Sequence, residues 1–180
     1  MGYQALQSNT TGDLNTATGT NALFHNTTGR INTANGFQAL NFNTTGLQNT
    51  AIGTSALISN TSGNTNTADG FLALSNNITG NNNTALGLEA GLNVTTANNV
   101  ICLGANVPGA NLSDTTWIGN VYGVTTQNGT TAQVIVSADG QLGTVASAER
   151  FKKDIASMDK TGEAVLLLHF DTTDFISVAG

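Results

Sequence analysis

Few of the 180 residues have side chains suited to chemistry, and they are scattered. Cys102 is the only cysteine, so no intrachain disulfide can form. It occupies a position filled elsewhere by Ala17, Ala34, Ala51, Ala68 and Ala85. That placement reads as a small buried thiol standing in for alanine rather than a nucleophile or a metal ligand. His25 and His169 lack neighbouring ligand residues and read as structural or solvated. The 21 glycines recur with a long period and never fall into a G-x-G-x-x-G phosphate loop. No metal, nucleotide or cofactor site is expected. Asn-x-Ser/Thr sequons start at Asn9, Asn26, Asn43, Asn60, Asn77, Asn82, Asn93, Asn111 and Asn128. The first five share one position of a repeat, where turn chemistry already requires Asn and Thr, so glycosylation is the weaker reading.

Charge narrows the partners. The formal net charge is −6, only 9% of residues are charged, and Arg150, Lys152, Lys153 and Lys160 are four of the five basic residues. Before position 149 only Arg30 is basic, so the chain cannot displace counterions from a phosphate backbone, and nucleic acid is excluded as a partner. No apolar run reaches the roughly 20 residues of a membrane-spanning helix, and no membrane insertion is expected. The opening Met-Gly-Tyr-Gln-Ala-Leu shows no export signal. Met1 stands where the last residue of a preceding repeat would stand, which reads as a trimmed chain, a fragment, or a protein released without a signal.

The elements that must position these residues follow from a glycine that returns every 17 residues, at Gly2, Gly19, Gly36, Gly53, Gly70, Gly87 and Gly104. Each unit reads G-x-x-A-L-x-x-N-x-T-G-x-x-N-T-A-x, and a fixed period of this length marks a solenoid. Two glycines per unit, each costing about 1 kcal/mol in a helix, argue against helices. The expected unit is a β-coil with two short strands, N-T-A-x-G and x-A-L-x, joined by turns at N-x-T-G. Coils stacked at about 4.8 Å place identical side chains in ladders, and asparagines so stacked satisfy one another. The fold class expected is all-β, a parallel β-solenoid.

A coil lined by alanine, glycine and one leucine buries little apolar surface, so an oligomer with the leucines facing its axis is expected. The residue after each glycine runs Tyr3, Thr20, Phe37, Thr54, Phe71 and Leu88. Aromatic and threonine alternate over the first five units, making the true repeat a pair of units and placing the aromatics at a subunit seam.

The units resemble two related groups, trimeric autotransporter (YadA-like) adhesin heads and the arrays upstream of tail-fibre-type chaperone domains. Asn49-Thr50-Ala51-Ile52-Gly53-Thr54-Ser55-Ala56-Leu57 carries the likeness best, which extends over residues 2 to about 104. The resemblance implies a homotrimeric left-handed β-roll used for surface attachment, with self-association in the homotrimer and a surface glycan or host receptor as partners.

Beyond the array, Asn99-Val100-Ile101-Cys102-Leu103-Gly104 turns aliphatic, as a cap or transition would. Residues 105–146 read as a β-rich connector or fibre shaft, with strands at Thr116-Trp117-Ile118 and Ala132–Ser137 and a hairpin turn at Asp139-Gly140. Trp117 is expected to plug a trimer axis or stand at a seam. Residues 147–180 hold a short helix around Ala164-Val165 and Leu167-Leu168, with Thr161 as N-cap. Ser147-Ala148-Glu149-Arg150-Phe151-Lys152-Lys153-Asp154-Ile155 resembles the truncated start of an intramolecular chaperone auto-processing (endosialidase-type) domain. That resemblance implies a catalytic pair, Ser147 as nucleophile and Lys152 as its base. Lys153 and Arg150 are the cations that could lower the Lys152 pKa, and the activity implied is at most a single-turnover autoproteolysis.

The function expected is structural: an attachment fibre segment, on a phage virion tail or a bacterial cell surface. Two other classes compete, a Ser-Lys autoprotease and an ice-binding solenoid. The Thr16, Thr33, Thr50, Thr67, Thr84 series favours the latter, while the following outward series Thr18, Asn35, Ile52, Asp69, Leu86 breaks the Thr-x-Thr pattern it needs.

Overall fold

The computed structural model describes residues 2–121 and 134–144. Within the first span, seven strands form one parallel sheet in chain order. They are β1 (Thr16–Thr18), β2 (Thr33–Asn35), β3 (Thr50–Ile52), β4 (Thr67–Asp69), β5 (Thr84–Leu86), β6 (Ile101–Leu103) and β7 (Thr116–Ile118). Strand residues pair in the register of the repeat, Thr16 with Thr33 and Ala17 with Ala34, through to Ala85 with Cys102. The architecture is the expected parallel β-solenoid, and no helix occurs among the described residues.

Strands β1 to β6 point their central residue inward. Ala34, Ala51, Ala68 and Ala85 are fully buried, with Thr and the variable third residue facing out. The glycine that follows has φ between 117° and 146° from Gly19 to Gly104. A Cβ on Gly53 would lie 2.6 Å from the carbonyl oxygen of Gly70, so both the backbone sign and the coil spacing demand glycine.

The second expected strand does not form. The x-A-L-x segment is a run of turns in which residues such as Gln38 and Leu40 adopt left-handed φ of 57° and 51°. Each left-handed leucine costs on the order of 1–2 kcal/mol of backbone strain. Burying its side chain returns about 2 kcal/mol, and its N–H bonds the next coil, as from Leu23 to the Ala39 carbonyl at 3.0 Å. Leu23, Leu40, Leu57 and Leu74 are at most 1% exposed in the single chain. They fill their own coil and cannot face an oligomer axis, which corrects the sequence expectation.

Two asparagine ladders complete the interior. In the first, each Nδ2 donates to the preceding coil's Oδ1, from Asn26 to Asn9, Asn43 to Asn26, Asn60 to Asn43 and Asn77 to Asn60, at 2.7–2.9 Å. The same Nδ2 also closes its own turn onto a glycine carbonyl, as Asn60 does to Gly63 at 3.1 Å. In the second, Asn49 Oδ1 accepts both the backbone N–H and the Nδ2 of Asn66, at 3.0 and 3.1 Å, and Asn49 Nδ2 reaches the Gly63 carbonyl at 2.8 Å. Fully buried amides with paired oxygens and nitrogens explain how so polar a chain holds a core.

The last coil ends this scheme. Val94 replaces the first ladder's asparagine, Val100 the second's, and Ala97 the turn glycine, all nearly or fully buried. The Val100 N–H closes the second ladder onto Asn83 Oδ1 at 2.8 Å. In the repeats, the carbonyl of Thr27 accepts from the N–H groups of Thr10, Thr11 and Gly12. Here Asn111 Oδ1 takes that place, accepting from Thr95, Thr96 and Ala97 at 2.8–3.1 Å. A side chain thus substitutes for a main-chain rung. The sheet runs on to β7, where Trp117 pairs with Cys102 in register although the repeat motif has ended.

In the second span, β8 (Val134–Val136) and β9 (Leu142–Thr144) form an antiparallel hairpin. Its turn carries the predicted Asp139-Gly140, with φ of 78° at Gly140 and a bond from the Gly140 N–H to the Ser137 carbonyl at 2.9 Å.

Candidate functional site

With the interior columns fixed by packing, only outward columns are free to recognise anything. One such surface follows the strands. Along it, a polar strand end precedes an aromatic and an apolar strand end precedes threonine: Asn35-Gly36-Phe37, Ile52-Gly53-Thr54, Asp69-Gly70-Phe71. From the second coil on, most coils therefore present one large apolar group. Phe37, Ile52, Phe71, Leu86 and Leu88 are each 40–48% exposed and form a continuous stripe. The aromatics expected at a seam are indeed outside the coil. The outer strand column itself is mixed, with Asn35, Ile52, Asp69 and Leu86 among its members, so β2 to β5 carry no Thr-x-Thr row.

A second surface lies beyond the buried Ala-Leu positions. Ser8, His25, Phe42 and Ser59 come from the same repeat position on successive coils, flanked by Thr27, Thr44, Thr61 and Ile78. Together they border an open groove of about 640 Å³. The His25 and Phe42 rings stack, 5.1 Å apart and 8° from parallel, and Phe24 meets His25 edge-on at 4.6 Å. Phe42 and Ile78 are 48% and 43% exposed. The threonine hydroxyls here donate to the main chain of the next coil, Thr27 to Thr44 and Thr44 to Thr61, both at 2.9 Å. With those protons used, the groove is apolar with oxygen acceptors along its rim. Residue identity alone did not single out His25, which looked isolated; its spacing from Phe42 by one repeat was the available signal.

A third feature is an exposed ion pair. Arg30 Nη2 lies 2.8 Å from Asp13 Oδ2 and its Nε meets Asp13 Oδ1. The guanidinium hydrogen bond holds the Asp13 carboxyl below its ordinary pKa.

The remaining candidates do not assemble into a site. Cys102 is buried, and desolvation raises its pKa, the opposite of an activated thiol. Gly109 approaches it, and the side chain of Trp117 lies close by with its Nε1 donating to Thr115 Oγ1 at 3.0 Å. Trp117 thus continues the column of Cys102 in the last described strand of the sheet. No group of His, Cys, Asp or Glu among the described residues could hold a metal ion. No described helix is long and apolar enough to cross a membrane. Ser147, Lys152, His169 and the expected C-terminal helix lie outside the described residues. Compared with family models, curated proteins and solved structures, the chain matches none.

Proposed function

We propose that this chain is a segment of a homotrimeric attachment fibre, of the phage tail-fibre or bacterial surface-adhesin kind. One observation carries the reading: the interior is closed by its own leucines and asparagines, yet an apolar stripe remains outside from Phe37 to Leu88. A contiguous apolar strip on an otherwise polar repeat fits a chain-to-chain seam. Three such strips meeting along a common axis would give a stiff rod with its remaining columns outward. The number three rests on the likeness of residues 49–57 to trimeric adhesin heads and fibre arrays. The sparsely charged, repetitive outer surface and the scarcity of basic groups suit contact with a cell surface and not with nucleic acid.

Sedimentation equilibrium tests it. The expected mass is three times 18.4 kDa, falling toward the monomer when Phe37 and Phe71 are both changed to Ser. A wild-type chain that stays folded and monomeric at micromolar concentration refutes the trimer.

A further inference from the structure

The groove on the second surface contains a vacated place in a stack. His25 and Phe42 are one repeat apart, and their ring separation of 5.1 Å is close to the coil rise of about 4.8 Å, so the rings stack along the solenoid axis. The next place in that series belongs to Ser59, whose side chain is too short to cover the far face of Phe42. The result is an open slot one coil deep, with Phe42 as its floor and Thr61 and Ile78 at its rim. Thr61 Oγ1 already donates to the Ile78 carbonyl at 3.1 Å, leaving lone pairs for an incoming donor.

We propose that this slot binds a neutral sugar ring, stacked on Phe42 and donating hydroxyl hydrogen bonds to Ser59 and Thr61. A flat, partly apolar ring with a rim of donors matches an aromatic floor and acceptor walls. No acidic or basic residue other than His25 lines the groove, and a net charge of −6 disfavours polyanionic glycans. The openness of the groove suits a residue within a longer chain, lying along the stack. This assignment names the ligand class of the attachment fibre proposed above and rests on that reading.

The test uses the full chain on an array of neutral oligosaccharides, followed by calorimetry with the strongest binder. Phe42→Ala should weaken binding about tenfold by removing the stacking floor. Ser59→Phe should do the same by filling the slot with a third ring, with the fold retained because residue 59 is on the surface. Phe37→Ala, on the other stripe, should leave affinity unchanged. Sedimentation of the same samples separates the two proposals. A trimer that binds no neutral glycan overturns the slot and leaves the fibre intact; a monomer whose binding is lost in Ser59→Phe keeps the slot and overturns the trimer. Binding that survives both slot variants, or falls in Phe37→Ala alone, also overturns it.

Discussion

The five coils that carry β1 to β5 and the coil that ends at β6 solve one problem in opposite ways. In the repeats, stacked asparagines provide the interior, and each coil is completed by the next. In the coil that ends at β6 the next layer is no longer a repeat, and Val94 and Val100 replace the amides. A polar ladder is economical only while it continues, because the oxygen of its last member needs a donor from outside the column, which Val100 N–H gives Asn83 and Asn83 Nδ2 gives Asn77. Where the ladder stops, hydrocarbon is cheaper than an unpaired amide.

Interrupting the ladder in mid-array is the strongest way to break that contrast. Asn60→Leu leaves Asn43 Oδ1 without a donor and takes one of two bonds each from the Gly63 carbonyl, which keeps Asn49, and from Asn77 Nδ2, which keeps Gly80. A loss of about 3 kcal/mol is expected from one orphaned acceptor and two lost hydrogen bonds, read from urea denaturation. The reverse change, Val94→Asn, places an amide where Asn77 is still below it, and should cost only about 1–2 kcal/mol.

Removing the cap has an intermediate effect. Trp117→Ala exposes the end of the coil at Cys102, and about 2 kcal/mol is expected for a half-exposed aromatic. The loss should be local, because stacked repeats fray from their ends. Faster Cys102 labelling by a thiol reagent, with amide exchange in the β2–β3 coils unchanged, would show it. Global unfolding on this substitution would contradict the capping role.

The smallest effect belongs to the Asp13–Arg30 pair. The Asp13 pKa is lowered in the folded state, so its contribution is present above the unfolded carboxylate value of about 3.9 and fades as pH falls through the lower folded value. Both partners are about half exposed, and solvent screens them. Arg30→Ala should leave the thermal midpoint at pH 7 unchanged within error, and a clear drop would show a coupling absent from the geometry.

The same contrast explains what could be read from residues alone. The glycine period, the alanine column and the asparagine ladders were legible because each position repeats and each has one physical job. The hairpin at Asp139-Gly140 was legible because its turn needs those residues. The leucines differ from expectation because a left-handed leucine has no signature in its type; burial of its side chain and a hydrogen bond to the neighbouring coil hold Leu40 there. The coil ending at β7 was read as a connector because Asn111 does with a side chain what Thr27 does with its backbone, and no repeat pattern records that equivalence. The slot at Ser59 escaped notice since it arises from a small residue following a large one in a column, a property of neighbours rather than of any motif.

The amides of the first ladder all point the same way, with each Nδ2 directed at the Oδ1 of the coil before it. Aligned amides polarise one another, so every bond is strengthened by those above and below. That ladder is therefore electrically directional, with a donor end and an acceptor end. Its stability should grow faster than the number of coils, and two arrays of opposite direction could not be spliced into one without a neutralising junction.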